Sequence, residues 1–297
     1  MRLLPTLKQL EYLDALDQTG HFGRAAERCS VTPSTLSAGI RELEDLLGVA
    51  VAERTKRVVL MTEVGRTLAA RARDVLQGAE DLMALARAHG EPLAGDLNLG
   101  VIPTVGPFLL PHTLPALNAA YPKLRIYLRE AQTVEVLARL RAGTLDLGLI
   151  ALPWEIEGLQ VRPLFDDGFR LACHADHPFA TRDAVGIDDL AGEPLLLLEE
   201  GHCLRGHALD ACRLSSSALR GQVEATSLAT LVQMVAAGLG VTLLPEIAIA
   251  AGITAGTAIR LVPLTEPASR QIGLVWRATS PRGAAFERIA ATIAAAA

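Results

Sequence analysis

The chain has 297 residues, 50% of them hydrophobic and 21% charged, which at roughly 100–200 residues per domain allows two or more domains with full-sized cores. Disorder and collagen-like structure are excluded. A formal net charge of -5 gives no general attraction to nucleic acid or anionic membrane, so any DNA contact must be local. The N-terminal stretch carries Arg2, Lys8, Glu11 and Asp14 and lacks an apolar core segment, so no signal peptide is expected.

From Leu7 to Leu47 apolar residues recur at helical spacing, with Leu10, Leu13 and Leu16 on one face and Leu36, Ile40, Leu43 and Leu47 on another. Phe22 to Ala26 reads as a short helix, Ser30-Val31-Thr32 breaks it, and Thr32-Pro33 caps and starts the next one. Val49 to Arg54 and Val58 to Met61 then alternate like two strands joined at Thr55-Lys56-Arg57, a cationic hairpin or wing. A recognition helix needs short polar or cationic side chains near its start, here Thr32, Pro33, Ser34, Thr35, Ser37 and Arg41, with Arg54, Lys56 and Arg57 placed to clamp phosphates. Ser and Thr at a helix start are equally well helix caps, and residues 1–91 carry nearly equal numbers of cations and acids, which departs from a strongly basic footprint.

Beyond Thr62, a predicted cap, Val64, Leu68, Ala72, Val75, Ala79, Leu82 and Ala86 form a seam for a partner helix, ending at Gly90-Glu91-Pro92. After Pro92 strands alternate with helices. Leu97–Ile102, Leu124–Arg129, Leu147–Leu152, Pro194–Leu198, Val241–Leu244 and Ile272–Trp276 read as strands, and Val134–Arg141 and Leu228–Ala237 as helices. This predicts βαβ units, largely parallel sheets and two small α/β lobes with a ligand cleft. The uncharged run from Ala225 to Pro245 reads as a buried helix and strand rather than a membrane span, and the Ala-rich tail as low complexity.

The first sixty-five residues resemble, without a gap, the N-terminal domain of LysR-type transcriptional regulators. The stretches that carry the resemblance are Phe22 to Glu27, Thr35-Leu36-Ser37, Ile40 to Glu44, Leu47-Gly48-Val49, Glu53-Arg54-Thr55 and Thr62 to Gly65. The resemblance implies an α+β multi-domain chain. A winged helix-turn-helix (1–63) would bind double-stranded DNA, and a linker helix (64–91) would dimerise. A two-lobed effector domain (92–297) would resemble periplasmic binding proteins, with lobe I at about 92–165 and 269–297 and lobe II at about 166–268. It further implies a cytoplasmic, non-enzymatic homotetramer that works with RNA polymerase, without cofactor or metal.

The chain has four cysteines, and without an export signal they belong in a reducing compartment where a structural disulfide framework is not expected. Cys29 and Cys173 read as packing residues, with Cys173, His174 and His177 a weak metal alternative. Cys203 and Cys212 lie in a segment with His202, Arg205 and His207. A redox cysteine needs thiolate character, which those side chains and a helix N-terminus would favour. Nine residues apart on one helix, the two sulfurs would be separated by roughly 13 Å, whereas a disulfide needs Cα atoms within about 7 Å, so oxidation would have to refold the segment. On chemistry alone three readings stay open: small core residues, a redox pair, or a metal site with His202 and His207.

Gly201-His202-Cys203-Leu204-Arg205 with Cys212 looks like the hallmark of the hydrogen-peroxide-sensing members of the same family. Further matching stretches include Ile102 to Pro107, Glu130 to Thr133, Ala225 to Leu228, Leu243 to Pro245 and Ile272 to Val275. That resemblance implies that Cys203 is the peroxidatic cysteine and Cys212 the resolving one. Thr104, Thr133 and His202 would line the peroxide pocket, and Arg270 would stabilise the reacting thiolate. Read without the resemblance, Thr133 is a helix cap and Arg270 a surface partner for Glu266. Where the pattern usually has an acid three residues after the reactive cysteine, this chain has Gly206 followed by His207. The alternative function is a LysR-type regulator answering to a small organic effector bound between the lobes.

Overall fold

The computed structural model describes residues 4–54, 59–88, 93–190, 192–211 and 224–297. The chain divides into two compact units, Met1–Arg87 and Ala88–Ala297.

The first unit is built from α1 (Leu7–Thr19), α2 (Phe22–Arg28), α3 (Pro33–Leu47), a small antiparallel hairpin of β1 (Ala52–Arg54) and β2 (Val59–Met61), and α4 (Glu63–Ala88). Each early helix starts on a polar cap: Thr6 for α1, His21 for α2 and Thr32 for α3, whose hydroxyl accepts from the Thr35 amide at 3.2 Å. Leu13, Leu16, Leu36, Ile40 and Leu43 close one apolar core, with Leu10 and Leu47 partly buried at its edge. Gly65 lies against the Val51 carbonyl so closely that a Cβ there would collide with it, which fixes the start of α4 against the hairpin. Thr62 caps α4 through the Gly65 amide at 2.9 Å.

Of the predicted seam on α4, Leu68 and Ala72 pack into their own unit's core, whereas Val64, Val75 and Leu82 are exposed, as is Met83 next to Leu82. The wing tip, with Thr55, Lys56, Arg57 and Val58, lies outside the described residues, as does the side chain of Arg54.

The second unit contains β3 (Gly95–Val101), α5 (Gly106–Ala120), β4 (Leu124–Glu130), α6 (Thr133–Arg141), β5 (Leu147–Leu152), β6 (Leu159–His174), β7 (Leu197–Leu198) and α7 (Cys203–Ala211). It continues with β8 (Glu224–Ala225), α8 (Leu228–Ala236), β9 (Thr242–Pro245), α9 (Glu246–Ala250), β10 (Ile259–Val262), β11 (Ser269–Arg277) and α10 (Gly283–Ala296). The main sheet runs β10-β6-β11-β5-β3-β4, with β9 also on β6. It is mixed, not largely parallel as the sequence suggested. β3 is parallel to β4 and β5, but β11 is antiparallel to β5 and β6, and β9 and β10 are antiparallel to β6. The run Ala225–Pro245 is β8, α8 and β9, as a buried helix and strand require, and among the described residues no helix is long and apolar enough to cross a membrane.

The strand that organises this unit, β6, carries Pro163, Asp166, Asp167 and Gly168, residues that break a simple alternation and hide it from pattern reading. Its first ten residues pair with β11 and its remainder with β9 and β10, so it runs through two apolar cores. One core gathers Leu99, Val136, Leu149, Ile272, Phe286 and Ile293; the other gathers Leu171, Cys173, Leu197, Val235 and Leu243. The Ala-rich tail is not low-complexity filler: it is α10, and it buries Phe286, Ile289 and Ile293.

The thiol site and the polar cluster at the strand crossing

Cys203 is the first residue of α7. It packs into the first core while Leu204 packs into the second, so the start of this helix sits where the two lobes meet. Gly201, at φ +97°, makes the turn that enters α7, and a Cβ there would collide with the Gln132 side chain. The turn therefore rests against the start of α6, where Gln132 is the cap and Thr133 the first helical residue. The cap reading of Thr133 does not hold. Its side chain is buried and its Oγ1 has no hydrogen-bond partner, although such a group ordinarily finds one.

A cavity of about 490 Å³ opens beside the thiol, lined by Pro153, Trp154, Glu200, Gly201, His202, Cys203, Arg205, Gly206 and His207. Cys203 is 9% exposed. His202 is nearly buried, with Nε2 3.8 Å from Glu199 Oε1. Arg205 lines the cavity but its Nη1 donates to Glu224 at 2.6 Å and to the Leu198 carbonyl at 3.0 Å, clasping β7 and β8 rather than the sulfur. His207 Nε2 donates to the Leu152 carbonyl at 3.0 Å and ties α7 to the end of β5. Among the described residues no group of three His, Cys, Asp or Glu side chains could hold a metal ion, so Cys173 with His174 and His177 forms no such site, whereas the set of His202, Cys203, His207 and Cys212 includes a residue outside the described ones.

Thr104 follows β3 in a turn and is buried, and Arg270, on β11, is buried as well. Arg270 is not a surface partner of Glu266. Its Nε and Nη2 donate to Asp167 Oδ2 at 3.0 and 2.9 Å, its Nη1 to Thr104 Oγ1 at 2.8 Å, and its Nη2 also to the Thr104 carbonyl at 2.9 Å. Asp167 Oδ1 accepts the Ile247 amide at 3.0 Å, at the start of α9. One guanidinium thus joins the β3–α5 turn to the strand crossing, and its carboxylate partner extends the link to α9. Arg270 donates only, so Thr104 Oγ1 must accept from it and keeps its own proton for another acceptor. Pattern reading does not single out Asp167, although an acid pair inside a long strand is a visible signal. Gln132, which buttresses Gly201, leaves no signal at all.

Cys212 lies outside the described residues.

In the first unit, Thr32, Pro33, Ser34, Thr35 and Arg41 are exposed and Ser37 is half-exposed, so the start of α3 presents a polar face. Thr32 is also the cap, bonded to Ser34 Oγ at 2.9 Å and Thr35 Oγ1 at 2.8 Å.

Residues 7–66 match the model of the bacterial regulatory helix-turn-helix proteins of the lysR family, and residues 90–297 match the LysR substrate binding domain. The chain belongs to the LysR family of transcriptional regulators. It is 46% identical over 289 residues to the DNA-binding transcriptional dual regulator OxyR of Escherichia coli K12, covering 97% of this chain and 95% of that relative. A full-length OxyR cysteine variant from Pseudomonas aeruginosa superposes with a TM-score of 0.80 at 39% identity, covering 98% of this chain and 95% of that one. A cysteine variant of OxyR from Corynebacterium glutamicum, bound to H2O2, superposes with a TM-score of 0.68 at 36% identity, covering all of this chain and 94% of that one.

Proposed function

We propose that this LysR-family regulator senses hydrogen peroxide through Cys203 and controls oxidative-stress genes. The observation that carries the reading is the buried, unpartnered Thr133 hydroxyl beside the turn that delivers Cys203 to the start of α7. A small molecule able both to donate and to accept is what such a hydroxyl requires, and hydrogen peroxide does both. The E. coli relative named OxyR and the H2O2-bound OxyR variant support the same assignment.

In this reading the Cys203 thiolate attacks one peroxide oxygen. The S–O bond forms, the O–O bond breaks, and hydroxide leaves as water after taking a proton, giving a sulfenic acid. Thr133, Thr104 and His202 orient the peroxide, and Arg270 acts through Thr104 by holding its oxygen as an acceptor and freeing its proton to donate. The Cys212 thiolate then displaces water from the oxidised sulfur, and the disulfide forms only as α7 unwinds. Because the start of α7 packs into both lobes, its unwinding alters both at once. The protein reacts once and waits for reduction rather than turning over as a peroxidase.

The domain assignment follows from the same reading. Residues 1–63 bind double-stranded DNA through the start of α3 and the cationic hairpin carrying Arg54, Lys56 and Arg57. Residues 64–91 dimerise through exposed Val75, Leu82 and Met83, and residues 92–297 sense peroxide, with lobe I at about 92–165 and 269–297 and lobe II at about 166–268. The active form is a cytoplasmic tetramer that acts on RNA polymerase. The test is non-reducing peptide mapping before and after stoichiometric H2O2. A Cys203–Cys212 cross-link is expected, and two thiols that remain alkylatable would overturn the reading.

A further inference from the structure

Hydrogen peroxide is little larger than water, whose share of liquid volume is about 30 Å³, yet Cys203 opens onto about 490 Å³. That volume lies in the range of roughly 300–1,000 Å³ typical of sites for small organic molecules. We infer that the Cys203 cavity admits bulky organic hydroperoxides, whose carbon substituent packs against Trp154 and Pro153 while the peroxide oxygen meets the sulfur. The inference rests on the peroxide-sensing reading of Cys203 and extends its substrate class.

The wall on the thiol's own helix supports this assignment. Gly206 lies inside α7 and lines the cavity, and a Cβ built there meets nothing within 4 Å. Neither close packing nor a left-handed backbone demands glycine at this position, and glycine in a helix interior costs about 1 kcal/mol against alanine. What the missing side chain leaves is open space one turn along α7 from Cys203. Trp154 is anchored by packing against the first core and so offers a fixed aromatic face. The polar side chains of Glu200, His202 and Arg205 also border the cavity, and Trp154 and Pro153 are apolar members of its lining.

The chemistry balances as it does for hydrogen peroxide. The Cys203 thiolate attacks the terminal, hydrogen-bearing oxygen of ROOH, the S–O bond forms and the O–O bond breaks. The alkoxide RO⁻ takes a proton from water and leaves as the alcohol ROH, so the sulfur is oxidised by two electrons and the hydroperoxide is reduced. Cys212 then condenses with the sulfenic acid and releases water.

The experiment measures second-order oxidation of Cys203 in the reduced full-length protein by cumene hydroperoxide and by H2O2, in the native chain and in Gly206→Leu. Leucine favours the helix, and circular dichroism checks that the variant is folded. Both peroxides should oxidise the native protein, and the ratio of the cumene hydroperoxide rate to the H2O2 rate should fall at least about tenfold in the variant, as filling an apolar pocket requires. An unchanged ratio, or a native protein oxidised by H2O2 alone, overturns the inference and leaves the peroxide-sensing reading standing. Failure of both peroxides to oxidise Cys203 overturns both. A second measurement is independent of the variant: the unreactive cumyl alcohol should slow alkylation of native Cys203 by iodoacetamide, and no protection counts against the cavity as its site.

Discussion

Cys173 and Cys203 are both buried cysteines of the same unit, and their surroundings differ in every other respect. Cys173 sits in β6 opposite Arg260 of β10, completely enclosed, with its Sγ donating to the Arg260 carbonyl at 3.8 Å. Burial pushes its thiol above the ordinary range, with the positive charge of Arg260 opposing the shift. Cys203 stands at the first residue of a helix, on a cavity, at the place where two cores meet. Burial by itself therefore does not distinguish the two thiols. What separates them is the cavity that Cys203 lines and its place at the first residue of a helix.

The largest test of that contrast is functional. Cys203→Ser should abolish peroxide-dependent transcription, whereas Cys173→Ala should leave it intact; a Cys203→Ser strain that still responds to peroxide would erase the distinction. Next in size is the fixed polar cluster on the same strand as Cys173. Asp167→Ala leaves the buried Arg270 charge without its carboxylate and should destabilise the second unit by about 3–5 kcal/mol in urea unfolding. A loss below about 1 kcal/mol would mean that water or another group replaces Asp167 readily.

Thr133→Val separates stability from reactivity. Removing a buried hydroxyl that has no partner should leave stability unchanged or raise it by up to about 1 kcal/mol. The same change should slow Cys203 oxidation by H2O2 roughly tenfold, the cost of about 1.4 kcal/mol in the transition state. A destabilised variant with an unaltered oxidation rate would make Thr133 a packing residue only.

The smallest effect is a pH slope. Desolvation raises the Cys29 and Cys173 thiols in the folded protein, so the unfolded chain gives up these protons at lower pH. Their contribution to stability is complete below the ordinary thiol range and is lost as pH rises through the raised folded values. Cys173→Ala should flatten that alkaline loss in thermal unfolding, and a slope identical to that of the native protein would show that this thiol does not ionise late.

Much of the first unit is legible in the amino-acid sequence. Its helices are marked by caps at Thr32 and Thr62, by apolar spacing from Leu13 to Leu43, and by the breaking Ser30-Val31-Thr32, all signals that act within about four residues. The second unit is harder to read. Helix α5 contains Pro111 and Pro115, which pattern reading takes as breaks, and β6 contains Pro163 and Gly168. The seam on α4 reads as one partner-facing stripe, because spacing does not tell an apolar residue that packs at home, such as Ala72, from one left exposed, such as Val75.

The sequence by itself determined the helix-turn-helix order and the LysR resemblance, and it offered Cys203 and Cys212 as candidate redox residues, because caps, helical periodicity and motif chemistry are properties of short stretches. Only the tertiary structure decided that Arg270 is buried on Asp167, 103 residues away, that Thr133 keeps an unpartnered hydroxyl, and that a cavity lies beside the thiol. The first depends on a sheet register that brings distant strands together. The other two depend on what packing leaves unfilled, which no stretch of sequence encodes alone.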